Sequence, residues 1–165
     1  MKKLFLCSGI PGSGKSTWVK EQVKKNGGVH VSRDAIRFAT LKENEEYFAK
    51  ENIVYETFVR TIQNALDNVN GPKDIYADAT HLNEKSRRYL LDKLNLSNVE
   101  EIILLHFNIS IETALERNAK RTGRALVPEE TIRNMNNSLS LPTKNSKYHY
   151  TIWKINEDGE VVNIE

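Results

Sequence analysis

Apolar residues along the chain alternate between two rhythms. Short apolar-rich stretches at residues 4–8, 29–32, 74–77, 101–107 and 150–155 predict strands, the first of them a buried one. A run that is apolar at successive positions belongs to a sheet covered on both faces. Between these runs the spacing becomes helical. Residues 15–25 place Trp18, Val19 and Val23 on one face, and Asn26-Gly27-Gly28 stops the pattern. Residues 34–40 and roughly 43–69 also predict helices, the second from the recurrence of Ile53, Phe58, Ile62 and Leu66. Gly71-Pro72 is a turn. Asn83 is an N-cap for a helix to about Leu94, and Ser110 caps one with Ile111, Ala114 and Leu115 as its apolar positions. Pro128-Glu129-Glu130 is a further helix start, with acids near the positive end of the dipole. Glu157-Asp158-Gly159 turns the chain into a C-terminal antiparallel hairpin. Strand alternating with helix predicts an α/β fold with a mostly parallel sheet and helices on both faces.

Composition narrows this only a little. The chain has 165 residues, which suits one domain with a core large enough to need no staple. One cysteine excludes an intrachain disulfide framework and a cysteine-rich zinc site, and Cys7 reads as a small buried apolar residue. No apolar run approaches the roughly 18 residues of a membrane helix. The stretch from Leu4 to Cys7 is also too short for an export signal, so a cytoplasmic protein is expected. Lys plus Arg number 24 and Asp plus Glu 22, a net charge of +2, so any contact with nucleic acid should be local.

The first chemistry follows the first strand. Gly9-Ile10-Pro11-Gly12-Ser13-Gly14-Lys15-Ser16 matches G-x-x-x-x-G-K-[ST], between an apolar strand and an amphipathic helix as the motif requires. Glycines let the backbone wrap phosphate oxygens, Lys15 can reach the β and γ phosphates, and Ser16 offers a hydroxyl to magnesium. This Walker A loop makes the fold a P-loop three-layer sandwich, but does not choose between kinase, GTPase, motor and helicase.

The ends of the next strands are more selective, because ligands in open α/β sheets bind there. Asp34 follows the second strand, where a carboxylate could take a proton from an acceptor hydroxyl. Arg37, one turn on, could pair with an anionic group of the acceptor. On spacing alone Asp34 could equally be a helix N-cap and Arg37 a solvated side chain. Asp78 ends the third strand, where a carboxylate would hold magnesium through water, and His81 is either turned to the phosphates or structural. Arg117, Lys120, Arg121 and Arg124 form the densest basic segment, with Arg117 and Arg121 on one helix face and Thr122-Gly123 as a break. A mobile arginine helix closing over ATP would supply the positioning and charge that phosphoryl transfer needs. The base-reading N-K-x-D of GTPases is absent, as is a well-formed Walker B.

Taken together, the Walker A at residue 9, Arg33-Asp34 with Arg37, Asp78-x-Thr80, and Arg117-Asn118 with Lys120-Arg121 ahead of Val127-Pro128 resemble the kinase domain of bacteriophage polynucleotide 5′-hydroxyl kinase. The likeness spans about residues 1–139 and includes Pro11-Gly12-Ser13-Gly14-Lys15-Ser16-Thr17-Trp18. It implies a single P-loop kinase domain over 1–165 with an arginine-bearing lid near 111–127. It further implies ATP and magnesium, and a nucleic-acid 5′ end as substrate. By motif, Gly9, Ile10, Pro11, Gly12, Ser13, Gly14, Lys15, Ser16, Thr17 and Arg117 take ATP-binding places. Ser16 and Asp78 (through water) serve magnesium. Lys15, Asp34 as general base and Arg121 are catalytic. Arg37 takes the place that meets the acceptor's 3′ phosphate, and Thr80 lies on the acceptor side. His81 stands where the phage family has Asn, and the lid residues Thr122-Gly123-Arg124 are reordered. Transfer to a small hydroxylated metabolite, or a nucleotide-binding ATPase without an acceptor, are the alternative readings.

Overall fold

The computed structural model describes residues 1–165. Its order is β1 (Lys2–Ser8), α1 (Lys15–Asn26), β2 (Val29–Ser32), α2 (Arg33–Thr40), α3 (Glu51–Asp67), β3 (Asp74–Asp78), α4 (Glu84–Leu91), β4 (Val99–Phe107), α5 (Ile111–Ala119), a short 3₁₀ turn (Gly123–Ala125), α6 (Glu129–Ser138), β5 (Thr151–Ile155) and β6 (Val161–Ile164). The six strands lie in the order β2-β3-β1-β4-β5-β6. All pairings are parallel except β5 with β6, the antiparallel hairpin expected from the turn at 157–159. No helix is long and apolar enough to cross a membrane.

The apolar-rich stretches have their expected cause. On β1, Leu4 and Leu6 enter one core with Phe58, Ile62 and Leu66 of α3 and Leu90 and Leu91 of α4. Phe5 and Cys7 point the other way, to Trp18 and Val19 of α1. Each face of the sheet is therefore covered, and Phe5 stacks on its register partner Tyr76 at 4.5 Å. A third, small cluster joins Ile10 of the loop after β1 to Ala114 of α5 and Ile132 of α6.

Local signals set the helix starts. Ser32 accepts from the Ala35 N–H at 3.1 Å and Ser110 from the Thr113 N–H at 3.1 Å. Asn83 forms a reciprocal capping box with Ser86. The far end of α3 is closed by Lys2, whose ammonium donates to the carbonyls of Asn68, Gly71 and Pro72 at 2.7, 3.1 and 2.8 Å. Trp18 Nε1 donates to the Gly159 carbonyl at 3.0 Å and ties the hairpin to α1.

One expectation needs correction. The helix predicted over 43–69 begins only at Glu51, and residues 43–50 form turns. The buried stripe is Val54, Phe58, Ile62 and Leu66, a uniform four-residue step, while Ile53 is 53% exposed. Starting the pattern from Ile53 rotates its first member off the core-facing stripe. Val54→Ala should therefore cost about 2–3 kcal/mol in urea unfolding, from two lost methyl groups and the cavity behind them. Ile53→Ala should stay within about 0.5 kcal/mol. Equal losses at the two positions would overturn this assignment of the buried face.

Candidate active site

The chain reverses its winding direction between β3 and β1, and the ends of these two strands carry the central groups. Gly12 follows β1 with φ of 85°, and a Cβ there would sit 2.6 Å from the Ala114 carbonyl of α5, so only glycine fits. Gly14 has φ of 90° and caps α1 without a side chain. The N–H groups of Lys15, Ser16 and Thr17 then open α1 with no carbonyl one turn behind them, a ready anion site. Lys15 Nζ donates back to the carbonyls of Gly9 and Ile10 at 3.0 and 2.9 Å, and Ser13 Oγ lies 3.4 Å away. Burial pulls the Lys15 ammonium below its ordinary pKa. The Asp78 and Asp34 carboxylates act to restore it, and Arg121 acts against it. Lys15, Asp34, Asp78 and Arg121 thus share one electrostatic neighbourhood.

Asp78 is buried at the end of β3. Its Oδ2 accepts from Ser16 Oγ at 2.6 Å and from His30 Nε2 at 2.7 Å. A carboxylate can only accept, so that histidine nitrogen carries its proton. Burial acts to raise the Asp78 carboxyl, but the bonds from His30 and Ser16 and the charge of Lys15 outweigh it and hold the pKa below the ordinary value. The donor set fits magnesium: one hydroxyl and one carboxylate, both hard oxygens, with no cluster of three acidic, His or Cys side chains to cage an ion alone. Sequence reasoning missed His30. Its signal was the two-residue strand period, which puts it on the same face as Ser32 at the site end of β2.

Asp34 is not the N-cap of α2, which is Ser32; it occupies the first turn. Its side chain is 60% exposed. Oδ1 accepts from Arg37 Nη1 and from the Tyr47 hydroxyl, the latter at 2.6 Å, and Oδ2 has no protein donor. Arg37 is 4% exposed, unlike the free acceptor-facing side chain expected for it. Besides Asp34 it holds the Tyr47 oxygen at 2.6 Å and Glu51 Oε1 and Oε2 at 2.8 and 2.9 Å. Arg33 reaches the same glutamate. Tyr47 and Glu51 were not foreseen, because no local pattern links them to α2 across the turns of 43–50. Thr80 lends its carbonyl to the Gly9 N–H at 3.0 Å and so braces the phosphate loop. A groove of about 390 Å³ opens beside Ser16 along the free edge of β2, lined by Lys20, His30, Ser32, Ile36 and Ala39 among others.

The family described as AAA domain matches residues 4–142. The chain belongs to that family and is a P-loop kinase. The adenylate kinase of Helicobacter hepaticus is 30% identical over 94% of this chain and 87% of its own. That of Nautilia profundicola is 28% identical over 87% and 79%. Among solved structures, the Pnkp1/Rnl/Hen1 RNA repair complex superposes with TM-score 0.69 at 24% identity, over 84% of this chain and 44% of that one. A sugar kinase from Janibacter sp. HTCC2649 superposes with TM-score 0.62 at 17% identity, over 93% and 86%. At such identities the structural likeness speaks for the fold alone.

The kinase's basic segment divides its work. Arg117 on α5 lies against the phosphate loop, donating to the Gly12 carbonyl at 3.4 Å and the Glu157 carbonyl at 3.0 Å. Arg121 is exposed, just beyond the helix. Arg124 crosses to the turns before α3, donating to the carbonyls of Lys42 and Glu45 at 3.2 Å each, with Phe38 beneath it. Asn118 pins the far end of the loop: its amide donates to the Val127 carbonyl at 2.7 Å and accepts the Val127 N–H at 3.0 Å.

His81 proves structural. It is buried with φ of 38°, a conformation in which His and Asn are both enriched, which accounts for one replacing the other. Nδ1 donates to the Cys7 carbonyl at 2.8 Å. Burial drives its pKa from 6.5 to about 4, with that hydrogen bond opposing the shift. The unfolded chain takes up this proton near pH 6.5 and the folded chain only near 4, so between them the unfolded state binds more protons and stability falls with pH. The full loss is about 3 kcal/mol. Urea midpoints should drop across that window, and His81→Asn should remove most of the slope, His106 supplying a remainder in the same direction. An unchanged slope in the variant would assign the loss to another group.

Proposed function

We propose that this kinase transfers the γ-phosphoryl group of ATP to the 5′-hydroxyl of RNA or DNA. The observation that carries the reading is the state of Asp34. Its carboxylate is exposed, one oxygen is fixed by Arg37 and Tyr47, the other has no protein donor, and its charge acts on the Lys15 ammonium. A hydroxyl acceptor has a proton to lose in the transition state and needs such a base. A phosphate acceptor has no proton to lose and brings its own negative charge, which a carboxylate in its path would repel. Transfer to a small acceptor is the second reading, favoured by the adenylate kinase relatives.

In this scheme the opening N–H groups of α1 and the Lys15 ammonium bind the β and γ phosphates, and Arg117 flanks them. Ser16 and Asp78, the latter through water, would hold magnesium, which would supply positive charge to offset that of the phosphates. His30 keeps the Asp78 carboxylate in place. Asp34 Oδ2 takes the acceptor proton as the oxygen attacks in line. Arg121 meets the charge that spreads over the equatorial oxygens. Arg37 acts by orienting Asp34.

Labelled ATP offered with a 5′-hydroxyl oligonucleotide, AMP, a gluconate-like sugar or no acceptor should label the oligonucleotide. Asp34→Asn should lower that turnover by about 10²–10⁴, and Arg121→Ala by about 10²–10³. Lys15→Ala should abolish transfer while the protein still unfolds in one cooperative transition, at a somewhat lower temperature because the Gly9 and Ile10 carbonyls and Asp78 lose a cationic partner. Transfer to AMP or the sugar but not the oligonucleotide would replace this reading with the second one.

A further inference from the structure

Next to Asp34 lies a group of aromatic rings that the phosphoryl-transfer scheme does not use. Phe48 is 64% exposed and Phe38 37% exposed. Tyr47 lies between them, 6.0 Å from Phe38 and 4.7 Å from Phe48, both nearly edge-to-face. Scattered exposed apolar side chains need no explanation, but this group is bonded to the proposed base. Tyr47 donates its hydroxyl to Asp34 Oδ1 at 2.6 Å, and the Arg37 guanidinium stacks on its ring at 4.1 Å. Both contacts fix the ring plane, and Phe48 packs against it at nearly a right angle with much of its own surface in solvent, the Arg37 guanidinium lying 5.7 Å from its centre.

We propose that Phe48, braced by Tyr47, is a stacking platform for the nucleobase of the acceptor's first nucleotide. The inference rests on the polynucleotide reading of the Asp34 site and names how that site selects its substrate. The spacing suits it. One sugar ring separates a nucleoside's base from its 5′-hydroxyl, and one tyrosine ring separates Phe48 from the Asp34 carboxylate. Every base has a π-face, so stacking captures a 5′ end without reading its sequence. Charge adds little: Arg124 lies over Phe38, but Arg33 is paired with Glu51, and the exposed Glu43 and Glu46 just before Phe48 have no ion-pair partner, so stacking rather than charge carries the capture.

The test uses two 5′-hydroxyl oligonucleotides that differ only in the terminal base, one normal and one abasic, with wild type, Phe48→Ala and Phe48→Trp. Turnover is measured with ATP, and binding without ATP by fluorescence anisotropy. Wild type should favour the base-bearing end by about 10- to 100-fold in KM and Kd. Phe48→Ala should erase that preference, raising KM only for the base-bearing end and sparing kcat, and Phe48→Trp should keep it. A preference that survives Phe48→Ala, or an equal KM rise on both acceptors, overturns the platform. Transfer with no dependence on the terminal base removes the platform and leaves the proposed activity standing. Base-dependent binding without transfer supports the platform and removes the activity, and absence of both binding and transfer removes both.

Discussion

Asp78 places a charge in the interior of the molecule at the one point where three strands end together. An isolated carboxylate so placed would cost several kcal/mol. It stays ionised because α1 supplies the Ser16 hydroxyl, β2 supplies the His30 N–H, and the Lys15 ammonium lies nearby. Each partner reaches it only in the observed register, in which Ser32 is level with Asp78 and β1 lies alongside β3. The register of β2 against β3 and the seating of α1 thus satisfy one electrostatic requirement. The Cβ-free approach of Gly12 to α5 carries the same rigidity into the third cluster.

The two carboxylates at the site show how burial separates roles that composition cannot. Asp78 is enclosed and held by neighbouring donors, which suits a group that must not change its protonation during a cycle. Asp34 stands in solvent with one oxygen anchored and one open, as the base of the proposed scheme would need. Arg37 and Glu51 are what make that anchoring possible. The guanidinium orients Asp34, and Glu51 from the next helix orients the guanidinium.

What the sequence made legible was local. The Walker A loop, the caps at Ser110 and Asn83, the apolar runs and the hairpin turn all act over a few residues, and all are found. Parts of the site assembled over longer separations were not legible. His30 meets Asp78 across 48 positions, and Arg124 meets Lys42 across 82. Residues 43–50 fall inside the helix that the spacing from Ile53 predicts, but Glu45 caps the Lys42 N–H locally, Tyr47 bonds to Asp34 and Arg124 holds the Glu45 carbonyl, and the segment forms turns. Asp34 and Arg37 were recognised as a pair, but spacing gave no sign that Arg37 would be enclosed by Glu51 and Tyr47.

The paired bonds between Asn118 and Val127 close the arginine loop at its base as a disulfide closes a ring, though without a covalent bond. The helices on either side therefore register only that clasp, not the length or composition of what it encloses. Closing a longer loop costs little more than closing a short one, because the entropy grows only logarithmically with length. Within residues 119–126, Arg124 is tied to the carbonyls of Lys42 and Glu45 and Arg121 to the proposed scheme, so it is the length of the segment rather than these two side chains that is open to change. Insertions between them would leave α5, α6 and the core beneath with their packing at a small entropic cost.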